Sequence, residues 1–445
     1  MRNFWRFYAS LIMAGRSAAP SDFALGTGSR IEMNARPHVR ALILAAAFAA
    51  ATAAHAAPDA KLMDAVRACE PEARTLLERA VAVDSGTGDA EGLGRVGQIY
   101  AAELRALGAA VRSVAPPAPS AGDNVVATLT GAGKGRILLI AHIDTVFARG
   151  DVTRRKPHWE GQHYVGPGAG DDKSGGVTAV CALRALKAIG FNDYARIDLL
   201  LNASEETGSL GSRDLIRSMA KDSDLAVNLE RGVPTDKVQV ARKGSAVLTF
   251  EFTGRAAHSG LEPEKGRNAA LEAARIALAL DKLADPAKKT TVVVDILSGG
   301  DRTNVVPASA IVKADVRAFT PDEFDRVERR AAELAAHPAI DGVGIKASLQ
   351  RTFPPWPHSG TTDAALARAN RLYSELGRTL TPIEVGSSAD VNYAAETGTP
   401  SLDAFGMEGD GAHSPDDYAD FATFAPRTYL LARLLMHVGH APAAP

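Results

Sequence analysis

The chain has 445 residues, of which 46% are hydrophobic and 23% charged. That length suggests about two to three domains, and the composition is ordinary for a globular protein with a large core. With 50 Lys and Arg against 52 Asp and Glu, the formal net charge is -2, which argues against a dedicated nucleic-acid binder. The two cysteines, Cys69 and Cys181, cannot build a disulfide scaffold, and no CxxC pair offers a thiolate zinc site. Any metal site must be built from His, Asp and Glu.

Residues 41–54, ALILAAAFAAATAA, form the one long apolar run. It is shorter than the roughly 20 residues a membrane helix needs. Arg36 and Arg40 precede it, and Ala54-His55-Ala56 follows. A basic region, a short apolar region and an A-x-A site read as a secretory signal peptide cleaved after Ala56. A start at Met33 would give a signal of normal length, so residues 1–32 are taken as an over-long start. The reading implies export to a periplasm or the exterior, with no membrane span left after cleavage. Residues 1–56 are set aside from the fold.

From 59 to 110 the apolar positions fall at helical spacing. Strand-like runs then alternate with helical patterns: 124–130, 136–143, a helix near 174–189, 196–204, a helix near 211–220, and 224–230. This alternation predicts an α/β domain with a mainly parallel sheet. The runs ILLIA and LLL lack period-2 alternation, as expected of strands buried on both faces. After Arg242 the pattern changes. Residues 246–253 alternate strictly, with Leu248, Phe250 and Phe252 on one face. A helix at 267–283, strands at 290–298 and 308–317, a helix at 321–336 and a strand at 342–350 follow. The order β-α-β-β-α-β is the ferredoxin-like unit. The expectation is therefore a catalytic domain in two parts, 57–242 and 353–445, interrupted by a small α+β domain at 243–352. Trp356, in the linker TFPPWPHSG, reads as a packed hinge residue. Cys69 and Cys181 read as two separate buried thiols, although an oxidising compartment permits a bridge.

Five spots carry metal-type ligands near predicted strand ends: His142-x-Asp144, Asp171-Asp172, Glu205-Glu206, Glu230 and His413. Crevices in open α/β sheets lie at the carboxyl ends of strands. Each spot alone is ordinary. An H-x-D pair is usually a surface polar pair, and DDKSGG could be an acidic helix start. Their joint order and placement carry the signal. Imidazole and carboxylate ligands without thiolate suit zinc, or another borderline ion such as cobalt or manganese.

From about Pro58 to Gly439 the chain resembles the M20 metallopeptidases, most closely their glutamate carboxypeptidase branch (the carboxypeptidase G2 type). The matching segments are AHIDTV (141–146), GPGAGDDKSGG (166–176), NASEETGSLGSRDLI (202–216), NLE (228–230), GRAAHSG (254–260), NVVPASAIVKADVR (304–317) and GAHSPDDY (411–418). The resemblance implies a zinc-exopeptidase-like catalytic domain with an inserted ferredoxin-like lid that also forms a homodimer. It implies that His142, Asp171, Glu206, Glu230 and His413 hold two zinc ions, with Asp171 bridging. It makes Glu205 the general base and Asp144 the carboxylate that orients His142. His258 would stabilise the oxyanion from a partner subunit, and Asn304 and Arg317 would hold the substrate. The family often has Ala where this chain has Gly170, and Gly where it has Ser174. Arg351 is the one nearby candidate for a specificity arginine, in an uncertain register. The expected function is release of a C-terminal amino acid from a small peptide or N-acyl amino acid. The rival readings are a deacylase of the acetylornithine or succinyl-diaminopimelate type, and a non-catalytic binding protein on the same scaffold.

Overall fold

A computed structural model describes residues 57–440 of the chain. The apolar run at 41–54 and the expected cleavage site lie outside the described residues. Three helices open the structure: α1 (Ala60–Ala68), α2 (Glu70–Val81) and α3 (Ala90–Leu107). Asp59 and Asp89 cap α1 and α3 by accepting the backbone N–H of Leu62 and Gly92, the usual task of a short acceptor at a helix start. Next come β1 (Ala110–Val114), β2 (Asn124–Thr130), β3 (Arg136–His142), α4 (Ser174–Ala188), β4 (Arg196–Asn202), α5 (Arg213–Lys221) and β5 (Leu225–Asn228).

The main sheet is completed by β10 (Ser401–Leu402), in the order β1-β2-β4-β3-β5-β10. The strands β4, β3, β5 and β10 pair in parallel, and β2 runs antiparallel to both of its neighbours. The unbroken apolar runs of β3 and β4 are buried from their second residue onward. Both faces are covered: α4, packed with α1, α2, α3 and the last helix, α9 (Phe424–His440), touches β3 on one side, and Leu138, Ile140 and Leu200 pack with Ile216 and Ala220 of α5 on the other. Gly175 lets the start of α4 come this close. A Cβ there would lie 2.4 Å from the carbonyl oxygen of Leu229 and 2.5 Å from Asp172 Oδ1.

The second sheet is formed by β6 (Gly244–Thr253), β7 (Thr291–Gly299), β8 (Ser309–Ala318) and β9 (Gly344–Phe353), with α6 (Ala269–Leu280) after β6 and α7 (Pro321–Ala336) after β8. Its order is β7-β8-β6-β9, every pair antiparallel, which is the ferredoxin-like arrangement. Leu248, Phe250 and Phe252 lie buried under α6 and α7 in a core of their own with Ile276, Val312, Val316, Phe324 and Val327. The alternation of 246–253 thus reports a sheet covered on one face only.

A clamp joins the two sheets. Strand Lys237–Arg242 pairs in parallel with Thr381–Val385. Arg242 and Trp356 then exchange both backbone hydrogen bonds, at 2.9 and 3.0 Å. The chain therefore leaves for the inserted unit and returns from it at one point. Trp356 is buried there against Ala389 and Val391. Helix α8 (Gly360–Tyr373) follows, capped by Ser359.

Cys69 and Cys181 are not two separate thiols. They form a disulfide, with Cα atoms 5.9 Å apart. Cys69 follows α1 directly, Cys181 lies in α4, and those helices pack together. The contact spans 112 residues of sequence, which is why spacing alone does not show it. Reducing this bond, or Cys181→Ala, should lower the unfolding free energy by about 2–5 kcal/mol. Urea unfolding with and without reductant measures it, and equal midpoints would mean that the thiols are free in solution.

Candidate active site

His142 closes β3, and its ring is held at both nitrogens. Nδ1 lies 3.0 Å from the backbone oxygen of Asp144, and Nε2 lies 3.0 Å from Asp171 Oδ1. Glu230 Oε1 is 3.8 Å from the same Nε2. The other oxygen of Asp171 faces a second imidazole: Oδ2 is 3.5 Å from His413 Nε2, which is 3.0 Å from Glu206 Oε2. Asp171 thus stands between two His–Glu pairs, one carboxylate oxygen toward each. Donor atoms of His142, Asp171 and Glu206 fall within 4.8 Å of one another, as do those of His142, Glu205 and Glu230.

The backbone sets this arrangement. Glu205 and Glu206 lie on a 3₁₀ turn, Glu205–Thr207, beyond the end of β4, so their divergence comes from a tight turn and not from strand alternation. Asp144 fixes that turn. Its Oδ1 accepts the N–H of Glu205 at 3.0 Å, and its Oδ2 accepts that of Glu206 at 3.2 Å and the Thr87 hydroxyl at 2.7 Å. Asp144 is fully buried, and one carboxylate therefore positions both the His142 loop and the Glu205–Glu206 turn. Asp417 does similar work on the Asp171 turn, accepting the N–H groups of Gly168 and Gly170 at 2.8 and 3.1 Å. The backbone of Tyr418 passes so near that a Cβ on residue 170 would lie 2.4 Å from its carbonyl oxygen. Gly170 fits this local approach where alanine would not. The other departure, Ser174, is absorbed as a hydrogen bond to the carbonyl of Gly170 at 3.2 Å. His413 occupies a left-handed position, φ 63°, which the tight GAHSP turn imposes.

Asp171 alone among the central carboxyls is held below the usual carboxylate range: burial would raise it, but the His142 hydrogen bond and the charges of His142 and His413 outweigh that. Burial pushes the Glu205 and Asp172 carboxyls well above the usual carboxylate range, and neighbouring carboxylates add to it. Burial and Asp171 push Glu230 up to about 8. Burial alone would lower His142, but Asp144 and Asp171 overcome it and hold the ring well above its ordinary value. Hydrogen bonding to Glu206 raises His413 to about 8. Carboxylates that resist ionisation and imidazoles that hold their protons describe a cluster short of positive charge. A buried Asp172 Oδ1 has no hydrogen-bond partner beside it. The donor set and this deficit fit a divalent cation bound by nitrogen and oxygen.

His258, Asn304 and Arg317 are not brought into this cluster. His258 and Asn304 are exposed on the inserted unit, in segments bridged at His258 and Val305. His258 Nδ1 accepts the N–H groups of Gly260 and Leu261 at 3.1 and 3.2 Å. Arg317 lies at the end of β8, its Nε 2.9 Å from Asp315 Oδ2 and its Nη1 3.4 Å from Ser388 Oγ. Arg351 is engaged elsewhere, with Asp325 at 2.5 Å and Glu328 at 3.1 Å, both on α7.

Two supporting groups escape sequence reasoning. Asp390 accepts hydrogen bonds from Asn202, at 2.6 Å, and from Ser209. It thereby ties a distant loop to the segment carrying Glu205. Arg242 is buried against Asp403 at 2.5 Å, and Asp403 also accepts from Asn228, next to the strand end leading to Glu230, at 2.9 Å. Neither Asp390 nor Asp403 stands in a motif with metal-type spacing. A lone Asp in a polar loop gives no signal of its own.

Residues 138–437 match the profile of Peptidase family M20/M25/M40. Carboxypeptidase G2 of Pseudomonas sp. (strain RS-16) is 35% identical over 402 residues, covering 90% of this chain and 97% of that protein. The indole-3-acetyl-aspartic acid hydrolase of Enterobacter agglomerans is 35% identical over 161 residues, covering 35% of this chain and 36% of that one. Among solved structures, aminopeptidase PepT from Bacillus cereus ATCC 10987 superposes with a TM-score of 0.68 at 22% identity, covering 83% of this chain and 98% of that one. The fold, the full-length relative and a crevice of buried ligand-type side chains converge, and the chain belongs to the M20 metallopeptidases, hydrolases of the metallo-carboxypeptidase and amidohydrolase kind.

Proposed function

We propose that the mature chain is an exported, dinuclear zinc hydrolase that releases a C-terminal amino acid from a small peptide or N-acyl amino acid. The observation that carries this reading is Asp171, placed between the His142–Glu230 and His413–Glu206 pairs with Glu205 alongside. His142, Asp171 and Glu230 would hold one ion, and Asp171, Glu206 and His413 the other. Cobalt or manganese would suit the same donors. When bound, the ions lower the pKa of a water and polarise the scissile carbonyl.

The side chains then have separate tasks. Glu205 takes a proton from the attacking water and delivers it to the leaving amine. Asp144 keeps Glu205 and Glu206 in register through their backbone N–H groups and fixes the orientation of His142, as a carboxylate behind a ligating histidine does. His258 has its Nδ1 occupied as an acceptor, so a neutral ring carries its proton on Nε2 and can donate to an oxyanion. Its exposure on the inserted unit suits donation into another protomer. Val293, Ile296 and Leu297 are exposed on β7, an edge strand of the inserted sheet, and the reading places the homodimer contact there. Arg317 would take the free carboxylate of the leaving residue, with Asn304 as a second substrate contact. The segments 57–242 and 353–445 form the catalytic domain, and 243–352 the lid.

Export finds support in the Cys69–Cys181 bond, since disulfides persist in oxidising compartments. Among the described residues no helix is long and apolar enough to cross a membrane.

Glu205→Gln should lower kcat by at least about 100-fold, the range of general acid–base contributions, while metal content stays at two ions per chain. Turnover within tenfold of wild type would remove Glu205 from the role of base. Asp144→Asn should weaken zinc about 10- to 100-fold, because the amide would place N–H groups against the N–H of Glu205 or Glu206. Competition with a zinc chelator measures it, and unchanged affinity would restrict Asp144 to holding the turn. Dialysis against a chelator should abolish amine release, and added zinc should restore it.

A further inference from the structure

The chain crosses from the main sheet into the inserted unit at Arg242 and Lys243, and this crossing holds an unusual cation. Lys243 is only 9% exposed. Among the described residues its ammonium has no carboxylate within 4.0 Å and no hydrogen-bond acceptor. The charged groups around it are mostly of its own sign. Arg317 and Lys289 both act on it, and Asp315 offsets them in part. Those two cations have partners: Arg317 is held by Asp315 and Lys289 by Glu384. Lys243 has only the ring of Phe319, 5.9 Å from its Nζ, and Lys289 lies over the same ring at 5.6 Å. A cation–π contact at the outer limit of its range does not replace an anion. The stem of Lys243 is buried while its Nζ still reaches solvent, so an incoming anion can meet it.

The neighbours of Lys243 lead to the reaction centre. The Ser388 hydroxyl donates to the carbonyl of Lys243 at 2.9 Å, and Arg317 Nη1 reaches the same hydroxyl at 3.4 Å. Two residues further on, Asp390 binds Asn202 and Ser209, which flank the Glu205 turn. On the other side, the guanidinium of Arg242 feels the charges of Glu230 and Glu205.

We propose that Lys243 is the specificity residue of the substrate cleft, pairing with the side-chain carboxylate of a dicarboxylic leaving amino acid while Arg317 holds its main-chain carboxylate. This rests on the hydrolase reading above. The division follows from the two cations' shapes. A planar guanidinium, its Nε already fixed by Asp315, presents its terminal nitrogens to a carboxylate of fixed position. A lysine offers a compact charge on a flexible stem, suited to a carboxylate at the end of a side chain. Burial, then Arg317 and Lys289, lower the pKa of Lys243, and an arriving carboxylate would relieve that repulsion. Arg351 makes both its ion pairs with α7, to Asp325 and Glu328.

The test uses zinc-loaded protein and three matched substrates: an N-acyl glutamate, the N-acyl glutamine that replaces one carboxylate by an amide, and an N-acyl leucine. Wild type should favour glutamate over glutamine. Lys243→Met should lower kcat/KM on the glutamate substrate by about 10- to 100-fold, mostly through KM, the size of one hydrogen bond between charged groups. The glutamine and leucine substrates should change by less than about threefold on the same scale. Lys243→Arg should recover most of the loss. An equal loss on all three substrates would make Lys243 a structural residue and overturn the proposal, as would no loss on glutamate. Calorimetric binding of free glutamate and glutamine to both proteins separates the two readings. Glutamate binding that depends on Lys243 without hydrolysis of any substrate would overturn the hydrolase and keep the subsite. Hydrolysis with no such dependence would do the reverse.

Discussion

The structure depends on a concentration of buried negative charge. Asp144, Asp171, Asp172 and Glu205, all buried, and the part-buried Glu230 are gathered beyond the carboxyl ends of strands with apolar centres. Desolvation penalises every one of these carboxylates if it stands alone. Hydrogen bonds from backbone N–H groups offset part of the cost, and Asp144 and Asp417 are satisfied this way. The central group is not. Asp171 meets only imidazole nitrogens, and Glu205 and Glu230 are pushed toward their neutral forms. A fold that carries such a cluster is matched to a cation, and its stability should depend on whether one is bound.

The frame that carries the cluster has two halves drawn from distant sequence. The strands β3, β4 and β5 supply His142, the Glu205–Glu206 turn and Glu230. The C-terminal part supplies His413, Asp417 and Asp390. Asp390 and Asp417 face inward from loops and fasten the turns bearing Glu205 and Asp171. Removing either would loosen a ligand without touching it. Arg242 and Trp356 bind each other through the backbone where the chain enters and leaves the inserted unit. Arg317–Ser388, Lys289–Glu384 and Tyr393–Thr352 contacts add to that join, which sets where Arg317 lies relative to the main sheet.

How much of this is legible in the sequence follows from how each feature is encoded. The strands β3 and β4 are continuous apolar runs, and β6 alternates, so both layers announce themselves through period. The candidate ligand-type residues stand at or just beyond the ends of those runs, and a strand end is where a period stops. That makes His142, Glu205 and Glu230 visible as chemistry. The antiparallel direction of β2 is not visible, because NVVATLT reads the same in either sense. The short parallel ladder between Lys237–Arg242 and Thr381–Val385 escapes notice because its strands are joined by more than a hundred residues of inserted chain. The disulfide is hidden for a related reason. Cys69 and Cys181 meet only because α1 packs on α4, and a helix–helix contact between distant segments leaves no local mark. The ion pairs of Arg351 with Asp325 and Glu328 on α7 are likewise absent from any local pattern, because they join a strand to helix residues more than twenty positions earlier.

These differences separate reaction chemistry from substrate choice. The chemistry requires ligand atoms within a few ångströms of one another, and short motifs at strand ends can provide that with little help from elsewhere. Substrate choice requires charges placed some way from the reacting bond, on the surface that approaches from the inserted unit. On the proposed reading those polar groups are Lys243 at the crossing, Ser388 in a loop and Arg317 on a lid strand, and of the three only Arg317 stands in a segment the family resemblance marks. Their positions follow from the Arg242–Trp356 clamp and from the Ser388 hydroxyl, which meets both the Lys243 carbonyl and Arg317. The reacting groups can therefore keep their arrangement while a change of charge at the hinge alters which leaving group is accepted. If the proposed role of Lys243 holds, a chain with a neutral residue at position 243 and the same cluster at His142, Asp171 and Glu205 is expected to act on a different leaving amino acid.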